Sequence, residues 1–225
     1  MKKRTILLGD YDTAAHGLWT LAAWAFPEPA VEENQVSVPG RVKGPLDLST
    51  VLTDGEPRYG ARPLTVTLES SEGDRLAREA RISEMVNKLH GRRLDIVLPD
   101  HPLHYATGRL KVETLYNDMA HASVQVTGTC EPWLYAKDET VVQLQATTEA
   151  QAVRLRNAGA MPVVPTLEVT AEEGASVLLG FGAATVALSA GTYTWPELLL
   201  PPGDHVITCS GAGTVTITYR EAVIR

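Results

Sequence analysis

Two histidines three residues apart are the first feature that could carry chemistry. Residues 99–109 read PDHPLHYATGR and contain His101 and His104. Imidazole and carboxylate groups bind zinc, but a zinc site would need two further ligands. The nearby candidates are His90 and His121, and no cysteine pair or HExxH motif supports them. Because the segment is rich in proline and aspartate, it predicts a turn between two strands rather than a metal site.

Other catalytic patterns are equally weak. Residues 40–44 read GRVKG, which partly matches a phosphate-binding loop, but Pro45 follows and no helix begins there. The sequence has no GxSxG motif, and its paired glutamates are typical of solvated turns. We therefore expect a protein that is not an enzyme and that needs no cofactor or metal.

Composition and charge exclude further classes of function. The 225 residues carry a formal net charge of −7, whereas proteins that grip nucleic-acid phosphates need clustered lysine and arginine. An acidic wall could still surround DNA without holding it. The apolar run after the basic start, residues 6–8, is too short for a signal peptide, and no segment is long enough for a membrane span. Cys130 and Cys209 are expected to be buried free thiols.

Most of the chain predicts short strands around one helix. Alternating apolar and polar residues indicate strands at 63–69, 92–98, 105–113, 123–127 and 214–219. Residues 74–90 predict a helix, with a cap at Ser71 or Asp74 and a left-handed end at Gly91. Its buried stripe is expected to comprise an apolar series from which Arg78 is excluded: Leu76, Ala80, Ile82 or Ser83, Val86 and Leu89.

The second half predicts a separate all-β domain. Short apolar strands alternate there with glycine and proline at close intervals, a pattern typical of a sandwich. We divide the chain into an N-terminal domain, residues 1–138, and a C-terminal domain, residues 139–225. The expected fold is mainly β, with a helix flanking the N-terminal sheet.

A long turn-rich segment from Pro39 to Pro63 predicts an interface. Its length exceeds an ordinary connection, and its apolar side chains would be poorly covered in a lone subunit. The residues that we expect at a contact between subunits are Val42, Leu46, Leu48, Val51, Leu52 and Tyr59.

The order of motifs along nearly the whole chain resembles the distal tail protein family of long-tailed phages, often called Dit. The motifs that carry the resemblance are VPG (38–40) to DLS (47–49), YGARPL (59–64), LHG (89–91), IVLPD (96–100), YATGR (105–109), CEPWLY (130–135), NAG (157–159), MPVVP (161–165), LPPGDH (200–205) and VTITYRE (215–221).

This resemblance implies an N-terminal β-sandwich with a flanking helix and an extended hairpin or belt, akin to tail-tube subunits. It also implies a C-terminal galectin-like β-sandwich. Family members form a hexameric ring at the distal end of the virion tail. The implied partners are the major tail protein of the tube, the tail-associated protein at the fibre base and the tape measure protein. DNA would only pass through the channel, and no membrane would be contacted. Such a protein is made in the host cytoplasm.

A carbohydrate-binding adhesion module remains the alternative, acting on the host surface through the C-terminal domain. Its aromatic candidate is Trp195, since aromatic rings stack on sugars. The second half is too short to hold the receptor-facing insertions of some family members, and no sugar-binding motif accompanies Trp195. Fold alone would not establish glycan binding.

Overall fold

The computed structural model describes residues 5–40, 43–51, 53 and 55–225. The chain forms two compact units. Unit 1 comprises Met1–Leu134 and Ile224–Arg225, and unit 2 comprises Tyr135–Val223. The chain therefore returns to unit 1 with its last two residues. The expected mainly β fold with a flanking helix is confirmed.

One antiparallel sheet organises the described part of unit 1. Seven of its nine strands follow the hydrogen-bonded order β2-β1-β7-β8-β9-β6-β3. In chain order they are β1 (Leu7–Leu8), β2 (Tyr11–Asp12), β3 (Thr20–Ala25), β6 (Arg62–Ser70), β7 (Arg93–Val97), β8 (His104–Asn117) and β9 (Ala122–Cys130). Alternate residues of β6 are buried along its whole length, as expected for a strand with one face on the core.

A separate two-stranded ladder leaves this sheet between β3 and β6. It pairs β4 (Gln35–Val36) with β5 (Leu46–Asp47) in antiparallel register. Neither strand joins the larger sheet. The extended hairpin implied by the family resemblance is therefore present.

Two helices accompany the sheet in the described part of unit 1. The short α1 (Thr13–Gly17) follows β2, and Asp12 caps it by accepting from the N–H groups of Ala14 and Ala15. The longer α2 (Arg75–Leu89) begins after the cap residue Asp74, whose side chain accepts from Ala77. Gly91 has φ of +76°, which confirms the predicted left-handed end.

The predicted buried stripe of α2 was wrong over its first two turns, because Ala80 is exposed as well as Leu76. Leu76 is 79% exposed, whereas Arg78 is fully buried and heads a stripe completed by Ile82, Met85 and Leu89. The Arg78 guanidinium donates to the carbonyls of Gly73 and Asp118 at 2.6 and 2.8 Å. It also donates to the Asn117 side chain at 3.4 Å. These acceptors replace water, which is the condition for burying a charged group.

The histidine segment forms the predicted turn. The chain turns between β7 and β8, where the N–H of His101 donates to Leu98 and the N–H of His104 donates to His101. Among the described residues, no group of three or more metal-binding side chains lies close enough to hold an ion. Burial lowers the pKa of His101.

Unit 2 is a two-layer sandwich. The chain enters through β10 (Leu134–Ala136) and leaves through β19 (Ala222–Val223). Within residues 135–223, all of which the structure describes, two four-stranded sheets have the orders β11-β18-β13-β16 and β12-β17-β14-β15. The strands are β11 (Thr140–Ala146), β12 (Gln151–Asn157), β13 (Thr166–Thr170), β14 (Val177–Phe181), β15 (Ala184–Leu188), β16 (Gly191–Thr194), β17 (Gly203–Gly211) and β18 (Gly213–Tyr219).

A single hydrophobic core joins the two sheets of unit 2. Leu167 and Ile217 come from one sheet, Leu179 and Ile207 come from the other, and all four are buried in one cluster. Burial of inward-facing residues from both sheets defines a sandwich. Both cysteines of the chain are buried and free, as predicted.

The buried guanidinium of Arg78 provides the first testable prediction. The variant Arg78→Ala loses the donor of three hydrogen bonds. We expect it to lower the free energy of unfolding by about 3 kcal/mol. Urea denaturation measures this loss. Arg75→Ala, at an exposed position one turn earlier, is the control and should change stability little. Equal stability of the two variants would contradict the burial of Arg78.

Candidate assembly interface

The hairpin that leaves the sheet between β3 and β6 is the candidate functional site. We call residues 27–61 the arm. Its outgoing and returning backbones are joined by a bridge between Val31 and Tyr59. The N–H of Glu32 donates to the carbonyl of Arg58, and the N–H of Leu48 donates to that of Asn34, both at 2.8 Å. These bonds hold the described part of the arm as an extended double strand.

The arm, where the structure describes it, has almost no core of its own. Every residue from Val31 to Gly40 is exposed. Two-stranded hairpins in water are marginally stable when nothing packs against them. An arm of this kind therefore needs support at its base and a surface that covers its length.

Exposed aliphatic side chains line both strands of the arm. They are Val31, Val36, Val38, Leu46 and Val51, the last of which is 64% exposed. Isolated apolar residues on a surface are ordinary, but several on one coreless element are typical of an interface. This cluster is the chemical basis for treating the arm as a contact surface.

The residues predicted from sequence are distributed unevenly in this site. Leu46 and Val51 are exposed, whereas Leu48 and Tyr59 are half-buried. The Tyr59 ring packs edge-on against Trp133, with ring centroids 5.4 Å apart. Val42 and Leu52 lie outside the described residues. For all six predicted residues, a role at a subunit contact stays a prediction.

Sequence reasoning missed the outgoing strand of the arm. Val31, Val36 and Val38 precede the segment that was singled out, yet they carry much of its exposed apolar surface. The spacing of valines among polar residues in VEENQVSV was a usable signal. The predicted interface covers only the segment from Pro39 to Pro63, so it does not include these valines.

Arg62 fixes the base of the arm. It is the first residue of β6 and its side chain is buried. Its guanidinium donates to the carbonyls of Pro27 at 2.8 Å and Phe26 at 3.4 Å, where the arm begins. It also donates to the carbonyls of Ile224 at 2.8 Å and Pro132 at 3.3 Å. One side chain thus connects the start of the arm, the end of β9 and the last residues of the chain.

Two further contacts support the same base. The Arg62 guanidinium lies 3.8 Å from the centroid of the Phe26 ring, a cation–π geometry. Arg225 pairs with Glu28 at 2.9 Å, although both side chains are exposed and such a pair contributes little. Burial lowers the pKa of Arg62 from its ordinary value.

Cys130 packs beside this arginine at the end of β9. Its register partner on β8 is Gly108, and any larger side chain at Gly108 would collide with the Cys130 sulfur. Burial raises the pKa of the Cys130 thiol to about 11. The thiol is therefore a neutral packing group.

The aromatic residue considered for sugar binding is not available on the surface. Trp195 is 8% exposed and belongs to the core cluster of unit 2 with Leu198 and Leu200. A ring packed among leucines cannot stack on a glycan. Trp195 is therefore not available as the stacking ring that the alternative hypothesis of carbohydrate binding named. None of the helices in the described part of the chain is long and apolar enough to span a membrane.

Comparison with solved structures gives an independent view of this architecture. The chain matches SPP1 Dit (gp 19.1), described as a paradigm of the hub adsorption apparatus in phages that infect Gram-positive bacteria. The TM-score is 0.68 at 16% sequence identity, over 96% of this chain and 98% of that one. This chain has the Dit fold. No family model and no curated protein match the sequence.

The match decides the question raised by the sequence motifs at the level of fold. It covers both units of the chain, so it is not limited to a common sandwich. At 16% identity the arrangement of strands is retained although most side chains differ. The predicted resemblance to Dit is confirmed in the structure.

Arg62→Met should loosen the arm. The variant keeps a long apolar side chain but leaves four carbonyls without their donor, so we expect a loss of about 3 kcal/mol in the free energy of unfolding. Amide hydrogen exchange should be faster at Glu32 and Gly60, whose N–H groups bond across the arm base. Arg58→Met, at an exposed position on the arm, is the control. Unchanged amide hydrogen exchange in Arg62→Met would show that Arg62 does not hold the base of the arm.

The buried thiol predicts a specific dependence on pH. The unfolded thiol ionises near its ordinary pKa of 9.0, whereas the folded thiol stays neutral up to about 11. Its contribution to stability is therefore complete below pH 9.0 and is lost as pH rises towards about 11. The free energy of unfolding, measured by denaturation at a series of pH values, should fall less steeply with pH for Cys130→Ala than for the wild-type chain. Identical slopes would show that the Cys130 thiol is solvated in the folded protein.

Proposed function

We propose that this chain is a distal tail protein of a long-tailed phage, a structural virion component and not an enzyme. The observation that carries the proposal is the match to SPP1 Dit across nearly the full length of both chains. The exposed apolar arm supports it, because a structural hub needs large contact surfaces.

The protein acts as a homo-hexameric ring at the distal end of the tail. A closed ring uses a heterologous contact, in which one surface of each subunit meets a different surface of the next. The arm supplies one of these surfaces. The ring joins the tail tube to the tail-tip complex, so its other partners are the major tail protein, the tail-associated fibre-base protein and the tape measure protein.

DNA passes through the ring without being gripped. The net charge of −7 per chain favours release of a polyanion over retention. The function needs no cofactor, metal or membrane contact. The protein works in the virion after synthesis in the host cytoplasm.

The mass and shape of the purified protein test the ring directly. We expect light scattering to give six chain masses and negative-stain images to show a ring with a central hole. A chain that remains monomeric at every concentration would contradict the proposal.

Val51→Asp should weaken this assembly. A carboxylate placed in an apolar contact loses its hydration, so self-association should fall by at least about ten-fold. The matched control is Val141→Asp, on β11 of unit 2, because Val141 is 58% exposed and Val51 is 64% exposed. Sedimentation of both variants over a concentration series provides the measurement. Equal weakening by both changes would exclude a specific role of the arm.

A further inference from the structure

A groove at the far end of the unit 1 sheet offers a second surface. It has a volume of about 350 Å³ and lies where β1, β2, α1, the end of α2 and β7 meet. Leu8, Tyr11 and Leu89 form its floor, and Leu94 adds a half-buried aliphatic wall. The floor is apolar, so a ligand that fills it should be apolar as well.

Cations stand at the rim of this groove. Lys88 and Arg92 are exposed there, and Asp10 is the acid among the lining residues. The ammonium of Lys88 lies 5.7 Å from the centroid of the Tyr11 ring, and His16 stacks on the same ring at 5.4 Å. Lys88 also pairs with Glu84 at 2.7 Å, but an exposed pair within one helix holds its charge weakly. The rim can therefore accept a carboxylate from outside.

The arm has the complementary chemistry. Its 35 positions contain six acidic and three basic residues, and its exposed valines and leucine are interspersed with glutamates such as Glu32 and Glu33. An aliphatic strand with acids beside it matches an apolar groove with cations at its rim. The described outgoing strand could reach about 30 Å from its base at Val31, since an extended chain rises about 3.3 Å per residue.

Sheet topology places these two surfaces where a ring requires them. The arm leaves between β3 and β6, at one end of the strand order. The groove lies at β2, β1 and β7, at the other end. A head-to-tail ring needs a donor surface and a different acceptor surface on each subunit, and the two ends of the strand order supply them.

From these observations we infer that the groove formed by Leu8, Tyr11, Leu89 and Leu94, with Lys88 and Arg92 at its rim, receives the arm of a second copy of this chain. The inference rests on the proposed function, because it names the acceptor in the contact that closes the ring. The arm carboxylates face the rim cations, and its aliphatic side chains cover the apolar floor.

Photo-crosslinking locates the acceptor without disturbing the groove. A p-benzoylphenylalanine residue replaces Val36, which is exposed on β4. Mixing nitrogen-15-labelled with unlabelled chains distinguishes links between copies from links within one chain. We expect inter-chain links to peptides that contain residues 8–16 or 88–94. Rings that link Val36 to any other segment would overturn the acceptor while leaving the hub intact.

Charge reversal tests the electrostatic part. Lys88→Glu with Arg92→Glu should weaken self-association by about ten-fold or more, because like charges would then face each other. Adding Glu32→Lys and Glu33→Lys to the same chain should restore it. The control, Arg154→Glu with Arg156→Glu on exposed β12 positions, makes an equal change in net charge. Failure of the arm reversals to rescue the groove variant would contradict the pairing. Chains that do not associate at all would instead refute the ring itself.

Discussion

The guanidinium of Arg62 is the interaction on which the arrangement of unit 1 depends. It brings together three stretches that are distant in sequence: the start of the arm at Phe26–Pro27, the segment after β9 at Pro132, and the chain end at Ile224. A buried cation is costly unless its donors are satisfied, and here the same bonds that satisfy it also fix the direction in which the arm leaves the sheet.

Much of the fold could be predicted from sequence because it follows from local alternation. The strands β6 to β9, the turn at residues 99–103 and the end of α2 at Gly91 depend on side chains close together in the chain. The core of unit 2 likewise follows from apolar residues that alternate with polar ones along its strands. The candidate site could be predicted only in part. The segment after Pro39 indicated an interface, but that prediction did not include the valines of the outgoing strand.

The buried arginines could not be predicted in this way. Arg78 and Arg62 occupy positions in the buried patterns of α2 and β6, where an apolar residue is expected. Their acceptors are backbone carbonyls and one amide, most of them far away in the chain. A sequence pattern treats arginine as a surface residue because it records the charge and not the acceptors. Trp195, named only for the alternative of carbohydrate binding, belongs to the core of unit 2.

In the proposed ring, assembly would be coupled to the order of the arm. The described part of the arm has almost no core, so its internal hydrogen bonds compete with water along most of that part. The hydrogen bonds of Arg62 restrict the base of the arm, so less entropy would be lost in the proposed docking on a neighbouring subunit. A fixed base alone would leave the aliphatic side chains exposed to water. An apolar arm without a fixed base could bind a neighbour in many registers. For the proposed assembly, the combination gives the buried cation beneath the apolar hairpin a role, because it limits the directions from which a neighbouring subunit could be reached.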